Sequence, residues 1–459
     1  MKSLCLATAT LLTLTAGAQA ADMAAKAPYY KAPVMAVYDW TGFYLGVNAG
    51  IGLGRDRAIH GTPLGTDSLY LAPQGAFGGG QVGYNWQAGS PFGPLVYGLE
   101  ADIQGAGLSD DRTNVNGPLV ATTYNQKIDW FGTVRGRVGL ASGPVLSYVT
   151  GGYAYGSVKT SITEAGIGTV FSSSKMQNGW VVGSGVEAAL GGNWTGKIEY
   201  LYLNMGNKSY AFEPFAQTLN TEVRENIFRV GLNYRVGGSA AYTPVAAANW
   251  NGWYLGGNVG SGTGRDRSSI IKPANPPGDL GATEIFNLAP DGINGGVQAG
   301  YNWQAANWVY GLEADIQASS QRDNKTVVGF GTIPYDARLP WFGTVRGRLG
   351  YSVGSTLFYA TGGYAYGGVK TKAREDGVAE ALNASTTRSG WTAGAGIETP
   401  FTLLGMLGPN WTSKTEYLYV DLGTTSNIIN TTVLTTSVTE HIFRTGLNYH
   451  LNSPVVARY

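Results

Sequence analysis

Cysteine and histidine are nearly missing from this sequence: Cys5 is the only cysteine in 459 residues, and there are three histidines. So small a stock leaves little for a His- or Cys-based metal centre or a thiol enzyme. Charge is also scarce, at 13% of residues, about half the usual share in a soluble domain. The 31 basic and 30 acidic residues nearly cancel, to a formal +1, so nothing in the charge argues for nucleic-acid binding. Beyond the first twenty residues there is no uninterrupted run of 18 apolar residues, so no transmembrane helix is expected. Glycine is abundant, 69 residues, but without a Gly-X-Y period, which excludes collagen. Abundant aromatics, 12 Trp, 28 Tyr and 14 Phe, exclude a disordered tail. High glycine and aromatic content with few charges suits a β-barrel with one face to lipid and one to water.

Residues 1–20 read as a secretory signal peptide. Lys2 supplies the positive end, Leu4 to Ala16 the apolar core, and Ala18 to Ala20 an A-x-A site, so cleavage is expected after Ala20. Cys5 lies early in that core, far from the cleavage site, and is not a lipid-acylation cysteine. The mature chain is then expected to carry no cysteine and to depend on backbone hydrogen bonds and packing.

Self-similarity organises the rest. The segment from Trp40 to Gly50 returns at Trp250 to Gly260, and Tyr97 to Gln104 returns unchanged at Tyr310 to Gln317. Trp130 to Gly139 returns at Trp341 to Gly350 with one Val-to-Leu change, and Thr150 to Gly156 returns at Thr361 to Gly367. Asn193 to Tyr202 matches Asn410 to Tyr419, and Ile227 to Tyr234 matches Ile442 to Tyr449. Units of this length are whole domains copied once, not solenoid repeats. The organisation expected is a signal peptide (1–20), a periplasmic leader (21–38), a first repeat (39–236), a linker (237–249), a second repeat (250–451) and a C-terminal extension (452–459).

In each repeat eight segments alternate with period two, as strands with two different faces do. In the first repeat they lie near 39–54, 76–88, 95–107, 128–141, 145–159, 178–190, 193–206 and 225–236. Phe228, Val230, Leu232 and Tyr234 share one face, opposite Arg229, Asn233 and Arg235; Trp130, Val134, Val138 and Leu140 oppose Thr133, Arg135 and Arg137. Connections near 55–75, 108–127, 160–177 and 207–224 are long and polar, and those near 89–94, 142–144 and 191–192 are short. Long loops at one end and tight turns at the other describe an outer-membrane barrel. A soluble sandwich has strands of about 5–6 residues, shorter than these. Trp40, Trp86, Tyr97, Trp130, Trp180 and Trp194 stand near segment ends, as interface girdles would.

The opening Trp-x-Gly-x-Tyr (Trp40 to Tyr44, Trp250 to Tyr254) and the closing Arg-x-Gly-Leu-Asn-Tyr (Arg229 to Tyr234, Arg444 to Tyr449) resemble those of small Gram-negative outer-membrane barrels. The group is the opacity-like, outer-membrane immunogenic protein family, also called the porin family, and the resemblance covers nearly all of the mature chain. It implies an all-β fold, here two tandem eight-stranded antiparallel up-and-down transmembrane β-barrels, in the cell outer membrane. One fused sixteen-stranded barrel is the alternative. The family normally has one unit ending on an aromatic residue; here Val236 and Leu451 stand in those places.

The inward polar set of the first repeat is Glu100, Asp102, Arg135, Arg137, Glu187, Lys197, Glu199 and Arg229. The second repeats it as Glu313, Asp315, Arg346, Arg348, Glu398, Lys414, Glu416 and Arg444. Four acids and four bases in each balance, as a network filling a narrow lumen requires; a pore lining is the functional alternative. Arg135 and Arg137 are expected to be compensated by Glu100 and Asp102 on the neighbouring strand. His60, in a predicted loop, and His441 and His450, on the last strand, lack an orienting acid and a nucleophile, so no catalytic site, cofactor or metal is expected. The repeated Gly-Arg-Asp-Arg (54–57, 264–267) supplies rim charges able to meet lipopolysaccharide phosphates. Gly78 to Gly80 lead into no helix, which excludes a phosphate loop. Three functions follow: a structural, envelope-stabilising, surface-exposed barrel; a porin for small hydrophilic solutes; or an adhesin or receptor acting through its loops. Outer-membrane lipid, lipopolysaccharide and the insertion machinery are the expected partners.

Overall fold

The computed structural model describes residues 38–451, except for 63–64, 92, 117–119, 213–216, 238–247, 273–281, 329–331, 375–380, 402–406 and 430–431. The expected signal peptide, most of the leader and linker, and the C-terminal extension lie outside these residues.

The first repeat contributes β1 (Gly42–Gly54), β2 (Asp56–Thr62), β3 (Gly65–Leu71), β4 (Gln74–Ala88), β5 (Leu95–Asn116), β6 (Val120–Ser142), β7 (Val145–Glu164), β8 (Gly168–Gly191), β9 (Trp194–Phe212) and β10 (Gln217–Val236). The second contributes β11 (Gly252–Lys272), β12 (Ala282–Leu288), β13 (Asp291–Ala305), β14 (Trp308–Val328), β15 (Thr332–Val353), β16 (Thr356–Arg374), β17 (Ala381–Pro400), β18 (Trp411–Ile429) and β19 (Thr432–His450). All pairings are antiparallel between neighbours, and each repeat closes on itself. β1 pairs with β10 (Ile51 opposite Phe228), and β11 pairs with β19 (Ser261 opposite Phe443). Each repeat therefore contains a closed ring of eight strands, with the hairpin β2–β3 in the first and β12 in the second added outside it. The fused barrel would need β10 beside β11, and those edges are already taken. Two barrels stand in tandem.

Alternation sets the faces as the residues imply. Leu45, Val47, Leu99, Ile103, Val134 and Val230 point outward and are exposed, while Tyr44, Glu100, Arg135 and Arg229 point inward and are buried. Aromatic pairs mark both edges of the lipid band: Trp86 on Tyr97 (5.6 Å) and Trp194 on Tyr234 (5.0 Å) at the short-turn end, and Trp130 on Tyr155 (6.1 Å) and Trp180 on Tyr202 (5.5 Å) at the other. From Tyr97 to Gly105, which sits opposite Trp130, β5 spans about 26 Å at ~3.3 Å per residue, enough for a tilted crossing. The short turns bring tight backbone: Gly143 and its counterpart Gly354 adopt φ of 57° and 58°, a region glycine enters without strain.

Two expectations need correction. The connections near 108–127, 160–177 and 207–224 are largely strand, not loop: β5 and β6 stay paired out to Asn116 opposite Val120. Ser, Thr and Asn on both faces hide the alternation there, but ladder hydrogen bonds do not depend on it. His60 accordingly lies on strand β2. Trp40 is no girdle residue. It is 1% exposed and packs against Leu146 and Tyr148 in the periplasmic mouth, its Nε1 donating to Gly143 O (3.3 Å). Trp250 repeats this with Ser352 Oγ (3.1 Å).

Candidate functional site

All sixteen inward charges are at most 5% exposed, and the fold brings each set of eight together. In the first barrel β6 carries Arg135 to the centre. Its guanidinium meets Glu100, Asp102 (3.1 Å) and, across the lumen, Glu199 (3.0 Å). Lys197 Nζ donates to Glu100 (3.0 Å), and Arg229 bridges Glu199 (2.6 Å) and Asp102 (3.0 Å). Neutral donors complete the carboxylates: Tyr44 OH to Glu100 (2.8 Å), Tyr148 OH to Glu199 (2.9 Å) and Thr133 to Asp102 (2.8 Å). Gly83 makes room for this, since a Cβ there would lie 2.4 Å from Tyr44 Cζ.

Arg137 departs from expectation. Its close partner is not on the neighbouring strand but across the lumen, Glu187 (2.8 Å), with Glu100 at 3.8 Å. Asn85 holds its Nε (2.9 Å), and the Tyr44 and Tyr148 rings flank it at 4.8 and 5.2 Å. Those contacts aim the guanidinium along the barrel toward β8. Strand adjacency says nothing about which side chains face each other across a closed ring.

The second barrel repeats the layer. Arg346 meets Glu313, Asp315 (3.0 Å) and Glu416 (3.2 Å); Arg348 meets Glu398 (2.6 Å). Lys414 donates to Glu313 (2.9 Å), and Arg444 bridges Glu416 (2.6 Å) and Asp315 (2.9 Å). Isolated burial of any one of these ions would cost several kcal/mol, so each needs the multiple charge-assisted bonds it has.

Residues that alternation did not single out close the lumen above this layer. In the first barrel Phe77, Leu108, Ile128, Phe131, Val181, Leu201, Leu203 and Ile227 pack together inside, all 5% exposed or less. The second has Leu339, Phe342, Val369, Leu418, Val420 and Ile442. Trp40 and Trp250 cap the periplasmic side. From bottom to top each lumen thus stacks an aromatic cap, a balanced ion-pair layer and an apolar plug. Their inward apolar residues were the missing signal: an inward face that turns from charged to apolar marks a filled lumen.

The histidines take structural places. His450 lies in the lumen with Nε2 3.6 Å from Glu398, and His441 Nδ1 bonds Tyr417 OH (2.7 Å). The side chain of His60 lies outside the described part. Among the described residues no three His, Cys, Asp or Glu side chains are arranged to hold a metal ion. Two of the Gly-Arg-Asp-Arg arginines, Arg55 and Arg265, are engaged across the barrels and are not free rim charges. Arg55 pairs with Asp291 and Asp323 (2.6 Å) of the second barrel, and Arg265 donates to the carbonyls of Gly54 (2.5 Å) and Pro73 (3.2 Å) of the first.

The pattern of the outer membrane protein beta-barrel domain matches residues 7–235 and again 236–450. The 31 kDa outer-membrane immunogenic protein of Brucella melitensis is 40% identical over 215 residues, 45% of this chain and 85% of that protein. Its counterpart in Brucella suis is 35% identical over 249 residues, 51% of this chain and all of that protein. A 22 kDa outer membrane protein of Rhizobium leguminosarum bv. viciae is 34% identical over 211 residues, 45% of this chain and 82% of the relative. Each relative is one barrel long, and this chain holds two such lengths.

Proposed function

Since the chain belongs to the outer-membrane β-barrel protein family, resident in the outer membrane, we propose that its work is structural and that its barrels are not pores. It stabilises the envelope and presents its strand extensions at the cell surface. The observation that carries this is the layered lumen: the eight mutually neutralised charges and the apolar cluster above them are all at most 5% exposed, so these layers are packed side chains and not the lining of open water. An aqueous channel needs a polar interior throughout, as the larger porins have. Lipid, lipopolysaccharide and the insertion machinery are the partners of such a barrel.

Planar-bilayer recording on the purified protein tests the reading. No steady conductance is expected. Stable, stepwise channels that pass small hydrophilic solutes would make the chain a porin instead. Loss of the protein from its host is expected to raise sensitivity to detergent, with uptake of small solutes unchanged.

A further inference from the structure

Residues on the outer wall of a barrel should meet lipid, yet one strip of each barrel is covered. Val230 on β10 faces outward and is 54% exposed, whereas Phe228 on the same face of that strand is 4% exposed, and its counterpart Phe443 on β19 is 8% exposed. What covers them is the other barrel. The rings of Tyr200 and Phe443 stack at 5.7 Å, and those of Phe228 and Tyr417 meet at 5.4 Å. The duplication makes Tyr417 the counterpart of Tyr200, and Phe443 that of Phe228. These two contacts are therefore one contact made twice with the roles exchanged, which is how an isologous interface is built.

At the outer end the two counterpart acids Asp110 and Asp323 also both reach across to the other barrel, through donors that differ. Asp110 accepts from its own Ala72 N (2.7 Å) and from Asn287 Nδ2 of the second barrel (2.7 Å). Its counterpart Asp323 accepts from its own Ala289 N (2.9 Å) and from Arg55 Nη2 of the first (2.6 Å). Polar side chains on the outward faces make the same point. His441 would be costly against hydrocarbon, but it lies 8% exposed, stacked on Phe228 at 6.3 Å. Its counterpart Asn226 accepts from Tyr200 OH (2.7 Å) and is equally covered. Toward the periplasmic turns the walls part around an apolar groove of about 460 Å³ between Leu190, Ile198 and Val230 on one side and Leu349, Phe358 and Ile397 on the other.

We propose that the two barrels are a covalently joined dimer. They dock laterally through a seam in which β1, β9 and β10 face β11, β18 and β19 with two-fold-like ring contacts, β5 meets β12 at the outer end, and β16 and β17 border the groove at the periplasmic end. The seam's side chains hold them together, not the connecting segment. The partner surface each barrel fits is the matching wall of its own duplicate.

The test uses the full chain in its membrane, with a site-specific protease sequence inserted in residues 237–249. Cysteines replace Tyr200 and Phe443 in one variant, and the fully lipid-facing Val134 and Val345 in another. A short bifunctional thiol reagent is added, then the protease. The seam pair is expected to keep the two halves in one band on a denaturing gel, while the control pair releases them. A seam pair that fails to join halves of heat-shiftable, folded mobility would overturn the proposal, as would a control pair that joins them equally. In mild detergent, cleaved halves without cysteines are expected to co-elute. The double variant Phe228→Arg and Phe443→Arg is expected to separate them, with each half still folded. Separation without the substitutions, or co-elution despite them, also counts against the seam.

Discussion

The two barrels are alike where they are charged and unlike where they reach outward. In the ion-pair layer each Arg, Lys, Asp and Glu has a counterpart with the same ionic partners within the layer, Arg135 and Arg346 alike bonding two acids on the neighbouring strand and one across the lumen. At the outer end β1 stops at Gly54 and a separate hairpin, β2 and β3, follows, whereas β11 runs unbroken to Lys272 and pairs with β12. At the inner end the last strand carries Arg235 in one barrel, donating to Asp39 O, and His450 in the other, beside Glu398. Each ion in the layer is held by buried partners, so a change there strands a buried charge. At the inner end Arg235 and His450 are also buried, and the exchange is accommodated because each finds a partner of its own, Asp39 O for one and Glu398 for the other.

The sharpest break in that likeness would come from the central arginines. Arg135→Ala and Arg346→Ala are each expected to cost about 3–5 kcal/mol, by stranding buried carboxylates. Urea unfolding in lipid vesicles measures both; clearly unequal losses would show that the two layers are not equivalent. A finer difference lies in the tyrosines. Tyr44 OH only donates, to Glu100, whereas Tyr254 OH donates to Glu313 (2.7 Å) and accepts from Arg348 (2.8 Å). Tyr254→Phe should therefore cost about 1.5–3 kcal/mol and Tyr44→Phe less, by the same unfolding assay, given the worth of bonds to charged groups. Equal effects would mean the Arg348 contact contributes nothing.

Gly83→Ala and Gly300→Ala place a Cβ 2.4 Å from Cζ of Tyr44 and of Tyr254 respectively. Each should lose about 1–3 kcal/mol to overpacking, read as a lower temperature for the heat-induced gel shift. An unchanged transition would show that the tyrosine ring swings aside without loss. The smallest effect belongs to the first barrel alone. Asp129 bonds Lys127 (2.9 Å) and Lys159 (2.5 Å) on the rim, and the second repeat has Pro340 at that place. Asp129→Asn should change stability by less than about 1 kcal/mol, because solvent screens half-exposed lysines. A larger loss would make this rim cluster a real difference between the two copies.

Period-two alternation made the strands, the lipid face and the inward charges readable, since Glu100, Asp102, Arg135 and Arg137 sit at every second position beside exposed apolar neighbours. Three things were not readable, each for a physical reason. Arg137 finds Glu187 across the ring, a distance that depends on barrel diameter and tilt rather than on register between neighbours. The apolar plug hides because Phe131 or Leu201 on an inward face blurs the alternation that identifies strands. The strand extensions hide because Thr, Ser and Asn occupy both faces once lipid is left behind. Covered outward residues such as Phe228 and His441 look like any others until a second wall is placed against them.

Ring closure has a kinetic meaning. The bond that completes the first barrel joins Phe43 to Val236, residues at opposite ends of the repeat. No stable intermediate can form by local pairing alone, so the slow step of each repeat waits for its last strand to arrive. Two rings instead of one shorten the stretch of chain that each closure must bridge. The first barrel can seal its edges while the second repeat is still being delivered, and less unpaired strand is exposed to aggregation at any moment than one sixteen-stranded ring would expose.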